Sequence, residues 1–209
     1  MAARQPYPWG SLNRLSPPSM SPQILAFAGS ARRDSTNKKL LANAVTLARE
    51  MGGEVTHIDL ADFEMPLYHG DFEASQGLPE TARRLKALLL QHDRLLIACP
   101  EYNSSITPLL KNTIDWCTRT ETDSEPALQC FQGKIAGLLS ASPGALGGLR
   151  SLRHLREILA NIGVLVIPAQ YALANAYEAF ESTGELKEER TRQAIRRVLS
   201  QLLSVHLSS

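Results

Sequence analysis

From Gln23 onward, apolar runs of strand length alternate with stretches of helical period. The runs fall near 23–29, 54–59, 94–99, 134–140 and 163–168, and positions recurring three and four apart fall near 37–51, 79–92, 108–119, 149–161 and 185–206. Leu95-Leu96-Ile97-Ala98-Cys99 and Val164-Leu165-Val166-Ile167 are apolar without alternation, the pattern of strands covered on both faces. The first helix sets Leu40, Leu41, Ala44, Val45, Leu47 and Ala48 on one broad face, and the last does the same with Leu186, Ala194, Ile195, Val198, Leu199 and Leu202. Five strand–helix pairs in succession predict an α/β fold, a parallel sheet between two helical layers.

Two stretches interrupt the alternation, 60–78 with Pro66, Gly70 and Gly77, and 120–132 with Pro126 and several acids. Long connections of this kind serve as binding loops or as solvated surface. Residues 1–22 carry Pro6, Pro8, Pro17, Pro18 and Pro22 and follow neither period. They are expected to form a flexible extension, or to precede a true start at Met20. Residues 23–209 are expected to form one domain.

At 209 residues with 44% hydrophobic composition, the chain can bury a sizeable core. Its net charge of +1, with no basic block, argues against nucleic acid as a partner. No apolar run approaches the roughly 20 residues that span a bilayer, and the N-terminus lacks the apolar core of a secretory signal, so a cytoplasmic protein is expected. Cys99, Cys117 and Cys130 form no C-x-x-C pair, and the five histidines are scattered. Neither a disulfide framework nor a metal site is indicated.

In a parallel sheet, ligands gather beyond the carboxyl ends of the strands. After the first strand comes Gly29-Ser30-Ala31-Arg32-Arg33-Asp34-Ser35-Thr36-Asn37, running into a helix. A helix N-terminus aims unpaired amides and a positive dipole end at one point, Ser30, Ser35, Thr36 and Asn37 can donate from side chains, and Arg32 adds full charge. The loop lacks both G-x-x-x-x-G-K-[ST] and G-x-G-x-x-G, which points to a single terminal phosphate and hence to FMN. An ordinary turn capped by Ser35 or Thr36 fits the same residues.

After the third strand comes Pro100-Glu101-Tyr102-Asn103-Ser104-Ser105-Ile106-Thr107-Pro108. Thr107 as N-cap and Pro108 at the first helical position start the next helix. Tyr102 and Asn103 offer a flat aromatic body beside a two-way amide, which suits a planar heteroaromatic ring; a rigid turn with Tyr102 packed on the helix fits as well. Lys111 and Asp115 have the spacing of an i,i+4 ion pair. After the fourth strand, Ser142-Pro143-Gly144-Ala145-Leu146-Gly147-Gly148 would let the backbone approach a ligand closely, or simply turn.

Together, Gly29-Ser30-x-Arg32-x-x-Ser35-x-Asn37, Pro100-Glu101-Tyr102-Asn103 with Leu110-Lys111-Asn112-x-Ile114-Asp115-Trp116, and Ser142-x-Gly144-x-x-Gly147-Gly148 resemble the flavodoxin-like NADPH-dependent FMN reductases, which include quinone, chromate and azo-dye reductases. The resemblance implies a flavodoxin-like three-layer sandwich with strand order 2-1-3-4-5 and non-covalent FMN. It also implies NADPH as reductant and a quinone, free flavin or similar small acceptor as oxidant. On that resemblance Ser30, Arg32, Ser35 and Asn37 hold the phosphate, and Pro100, Glu101, Tyr102 and Asn103 lie along the ring. Ser142, Gly144, Gly147 and Gly148 line the flavin and the nicotinamide approach. No side chain is assigned acid–base catalysis. Ser104 stands where glycine is frequent.

A non-enzymatic electron carrier of flavodoxin type is the alternative, although short flavodoxins are usually strongly acidic and this chain is balanced. Leu109, Trp116, Leu152, Leu155 and Ile158 are expected to form the face of a homodimer or a tetramer.

Overall fold

A computed structural model describes residues 22–207. The expected extension at 1–22 therefore lies, but for Pro22, outside the described residues. The elements run β1 (Gln23–Ala28), α1 (Thr36–Glu50), β2 (Glu54–His57), α2 (Gly70–Gln76), α3 (Glu80–Gln91), β3 (Arg94–Ala98), α4 (Pro108–Cys117), β4 (Ile135–Ala141), α5 (Leu149–Asn161), β5 (Leu165–Leu173) and α6 (Glu189–Ser204). The strands form one sheet in the order β2-β1-β3-β4-β5, every pairing parallel.

Strand parity divides the core. Ile24, Ala26 and Ala28 of β1, Leu96 and Ala98 of β3, and Ile135, Leu139 and Ala141 of β4 face α1 and α6. Leu25 and Phe27, Leu95 and Ile97, and Ala136 and Leu138 face α3, α4 and α5. Both sides of the central strands are thus dry, which is why Leu95–Cys99 reads as an unbroken apolar run. The similar run at Val164–Ile167 falls on the edge strand β5, where Leu165 is exposed, so its expected burial on both faces is corrected. Each fully buried Leu or Ile contributes about 1.5–3 kcal/mol.

Several boundaries depart from the sequence expectation. Leu186 is fully buried but lies ahead of α6, which begins at Glu189. β5 runs past Pro168 to Leu173, because its pairing with β4 shifts register between Ala136 and Leu138. At an edge strand with such an irregularity, the missing amide of a proline leaves no gap in the ladder.

The interruption at 60–78 is ordered. It contains a 3-10 turn, Leu60–Asp62, and α2, capped by His69 Nδ1, which accepts from the Phe72 amide at 3.2 Å. Asn112 donates to the Pro66 carbonyl at 2.9 Å and accepts from the Tyr68 amide at 2.8 Å, and Trp116 Nε1 donates to the same carbonyl at 2.7 Å. The Tyr68 and Phe72 rings meet Trp116 edge-on. In the 120–132 segment, Glu125 pairs at 2.6 Å with the buried Lys86.

The expected dimer face is corrected here. Trp116, Leu152 and Leu155 have no exposed surface, and Leu109 and Ile158 are partly buried against the same core. Their helical spacing was that of a core stripe. Lys111 and Asp115 do pair, at 2.7 Å.

Candidate functional site

β1, β3 and β4 end side by side, with Ala28 opposite Ala98 and Ala98 opposite Leu139. Three loops leave this edge where the strand order turns back on itself, the position at which parallel sheets hold ligands.

The first loop begins at Gly29. A Cβ there would lie 3.0 Å from Leu110 Cβ and 3.3 Å from Pro100 Cδ, so only glycine lets β1 exit beneath α4. Ser30 is buried, and its Oγ accepts from the Arg32 amide at 3.3 Å. Ser35 is the N-cap of α1, its backbone extended and its Oγ accepting from the Lys38 amide at 3.4 Å. Thr36 follows as the first helical residue. The amides of Thr36 and Asn37 have no internal acceptor in the helix and none among the described residues. Arg32 is exposed and forms no ion pair among the described residues. Its neighbour Asp34 is paired with Lys39 at 2.5 Å, and that hydrogen bond and charge hold the Asp34 carboxyl below its usual range. The positive charge of Arg32 therefore remains for a ligand.

The second loop is a tight hairpin. Tyr102 and Ser105 exchange backbone hydrogen bonds, each 3.0 Å, around Asn103 and Ser104, whose φ values are +49° and +69°. Two successive left-handed residues make a turn that favours Asn then Gly, which explains why glycine is common where Ser104 stands. Tyr102 is about half exposed, as are Leu146 and Leu149 on and beside the third loop. Three large apolar side chains thus stand at one edge, ready to cover a flat ligand.

In the third loop Gly147 and Gly148 are required by the protein's own packing. A Cβ on Gly147 would lie 2.7 Å from backbone atoms of Ala172, Leu173 and Ala174, and one on Gly148 would lie 1.9 Å from Ser140 Oγ. Both residues also have positive φ. Gly144 is in open space, near only the Ser142 hydroxyl, which accepts from its amide at 3.3 Å.

Each pair of loops is tied together. Thr107 Oγ1 donates to the Gly29 carbonyl at 2.7 Å, linking the first and second. Asn37 and Ala141 join the first to the end of β4 through two hydrogen bonds, 2.8 and 2.9 Å. Glu101 joins the second to the start of α5, its Oε2 accepting from the amides of Arg150 at 3.1 Å and Ser151 at 3.3 Å. Ser140 donates to the Cys99 carbonyl at 2.6 Å, and the Ser151 hydroxyl lies between that carbonyl, at 3.2 Å, and the nearer Gly148 carbonyl, at 2.8 Å. The side chains of Asn37 and Glu101, both expected among the ligand contacts, are held by the protein itself. Burial pushes the Cys99 thiol up to about 12, so it stays neutral.

Thr107, Ser140 and Ser151 were not expected as members of this framework beyond the capping role of Thr107. Their hydroxyls reach carbonyls that lie far away in sequence, and no local spacing announces that.

A cavity of about 500 Å³ lies on the β2 side, lined in part by Ala28, Lys38, Lys39, His57 and Asp59. Its two lysines are already paired, Lys38 with Asp59 at 2.5 Å and Lys39 with Asp34. Burial lowers the His57 pKa. Burial alone would raise Asp59, but hydrogen bonds from Lys38 and the Ala61 amide, with the Lys38 and His57 charges, bring it below its ordinary value. Arg32 and Arg33 stand exposed at the carboxyl edge without an ion pair among the described residues, beside the free amides of α1. Phosphate donors at one end of the edge and half-exposed apolar side chains at the other suit a planar molecule with a terminal phosphate.

Comparison with known proteins agrees with this geometry. The family model of the NADPH-dependent FMN reductases matches residues 22–178. An NAD(P)H-dependent FMN reductase of Pseudomonas aeruginosa is 35% identical over 182 residues, covering 86% of this chain and 92% of that protein. A probable NADPH:quinone oxidoreductase of Oryza sativa is 31% identical over 192 residues, covering 88% and 90%. Among solved structures, the flavoenzyme NAD(P)H:(acceptor) oxidoreductase FerB of Paracoccus denitrificans superposes with a TM-score of 0.72 at 26% identity, covering 87% of this chain and 97% of that one.

Proposed function

The chain belongs to the NADPH-dependent FMN reductase family, and we propose that it holds FMN across these three loops and passes reducing equivalents from NADPH to a quinone, free flavin or similar small acceptor such as chromate or an azo dye. Its activity is flavin-dependent NAD(P)H oxidoreduction, with FMN as cofactor. The non-enzymatic carrier is set aside, because the relatives described above are named as enzymes.

The observation that carries the proposal is the donor set at the start of α1. Arg32, the Ser30 hydroxyl and the amides of Thr36 and Asn37 all lie on the loop and first helical turn that follow β1 and have no acceptor among the described residues, and a phosphate monoester matches them in charge and in hydrogen-bonding sense. Ser35 and Thr36 hydroxyls add to the same set. Asn37 contributes its backbone, since its side chain holds β4.

FMN, when bound, supplies hydride acceptance from the nicotinamide and onward transfer of two electrons. The protein's part is binding, orientation and exclusion of water. Pro100, Tyr102 and Asn103 form one wall for the ring, and the backbone of Ser142–Gly148 forms the other, with Leu146 exposed on it. Backbone donors on rigid loops face charge that develops at the ring without reorganising, which is preorganised stabilisation and needs no acid or base side chain.

On this proposal, residues 23–209 act as one cytoplasmic domain, and the assembly is a homodimer or a tetramer. Among the described residues no helix is long and apolar enough to cross a membrane. With Trp116 and Leu155 in the core, the contact face falls to Leu67, which is 76% exposed, and to the groove it shares with Pro108 and Leu109. FMN-loaded protein should oxidise NADPH when a quinone is supplied and stop when it is exhausted. Absence of NADPH oxidation in FMN-loaded protein with every such acceptor would refute the proposal.

A further inference from the structure

Helix α5 is unable to cap itself. Its N-cap, Gly148, has φ +90° and no room for a side chain, because a Cβ would meet Ser140 Oγ at 1.9 Å. The side-chain oxygen that ordinarily satisfies the first amides of a helix is therefore missing. The first turn of α5 also lacks an acid and places Arg150 at the positive end of the helix, the unfavourable sense of the dipole.

Glu101 supplies both from the neighbouring loop. Its Oε2 accepts from the Arg150 and Ser151 amides, and its Oε1 faces the Arg150 guanidinium at 3.5 Å. The Glu101 carboxylate is 14% exposed, whereas the Arg150 side chain is 57% exposed, so the two amide contacts dominate the attachment. Around Glu101 the backbone is fixed at both sides. Ser140 holds the Cys99 carbonyl, Pro100 restricts φ, and Tyr102 is locked to Ser105.

Resting on the FMN reading above, we propose that Glu101 is a positioning residue. By capping α5 from outside, it fixes the Tyr102 hairpin relative to the glycine loop and so sets the spacing of the two walls between which a flat ring would lie. Glu101 acts through these loops and does not touch the ligand.

The test compares Glu101→Gln, Glu101→Asp and Glu101→Ala, using amide hydrogen exchange of the apo-protein and FMN affinity from quenching of flavin fluorescence. Gln keeps an acceptor oxygen at the same reach. It should bind FMN within about fivefold of the parent, since the charge at the helix end and the exposed Arg150 pair that it gives up are each worth little. Asp is one methylene shorter and Ala has no acceptor. Both should lose about tenfold or more in FMN affinity, the scale of a charge-assisted hydrogen bond. In both, exchange should rise together at Arg150, Ser151, Tyr102 and Ser105. An Asp variant that binds FMN like the parent, a Gln variant no better than Asp, or exchange that rises at Arg150 and Ser151 alone would overturn the proposal. If the Ala variant does not fold, the Gln and Asp pair decides. A parent protein that binds no FMN would refute the functional reading, and the exchange pattern would still decide whether Glu101 couples the loops.

Discussion

Asn37 and Ala141, 104 positions apart, exchange two hydrogen bonds, Asn37 Nδ2 donating to the Ala141 carbonyl at 2.8 Å and Asn37 Oδ1 accepting from the Ala141 amide at 2.9 Å. One buried amide side chain thereby completes the ladder at the end of β4 and fixes the start of α1 beside it. Asn37→Ala would leave two buried backbone groups unpaired, at about 1–3 kcal/mol each. Chemical denaturation should show a loss of roughly 3 kcal/mol, and a loss below about 1 kcal/mol would mean that water replaces the side chain.

Ser104, at φ +69°, occupies a conformation that disfavours side chains. Ser104→Gly should raise the denaturation midpoint by about 1 kcal/mol of stability, the difference between a strained and an unstrained left-handed residue. A lowered midpoint would show that the Ser104 side chain makes a compensating contact.

The close approach of Gly148 to Ser140 sets up a two-site test. Gly148→Ala should destabilise by about 3 kcal/mol or more through overpacking and left-handed strain. Ser140→Ala in the same chain removes the atom 1.9 Å away and should recover part of that loss. Strictly additive effects of the two substitutions in a double-mutant cycle would contradict the collision.

Assembly is tested by separating core from surface. Leu155→Asp should unfold the protein, because Leu155 is fully buried and a charge there has no partner. Leu67→Asp should leave circular dichroism unchanged and shift sedimentation from dimer to monomer. An unchanged oligomer in the Leu67 variant would move the contact face elsewhere.

The two-sided burial of β3 was legible as an unbroken apolar run, but the same pattern at Val164–Ile167 misled, because β5 is an edge strand whose Leu165 is 43% exposed. The caps at Ser35 and Thr107 were legible from local chemistry. The strand order came from family resemblance, since periodicity carries no information about which strands are neighbours. What the sequence hid was long-range partnership. Asn37 and Glu101 look like ligand contacts on loops, but their partners, Ala141 and Ser151, are brought to them by the sheet. Gly147 and Gly148 suggest room for a ligand, whereas the atoms requiring them belong to β5 and to Ser140. Leu155 lies in a helical stripe whose spacing is the same for a core and for an interface.

If both substrates use the same open edge, NADPH and quinone should give parallel double-reciprocal lines. Intersecting lines, with both bound together in rapid mixing, would show that the acceptor has a separate site.

The central claim is that the start of α1 holds the phosphate of FMN, and calorimetric titration of the apo-protein with FMN and with riboflavin tests it most directly. FMN should bind about ten- to a hundredfold more tightly than riboflavin, the value of a charge-assisted hydrogen bond to phosphate. Arg32→Ala should remove most of that difference while leaving riboflavin affinity unchanged. Equal affinity for the two flavins in the parent protein would contradict the phosphate assignment.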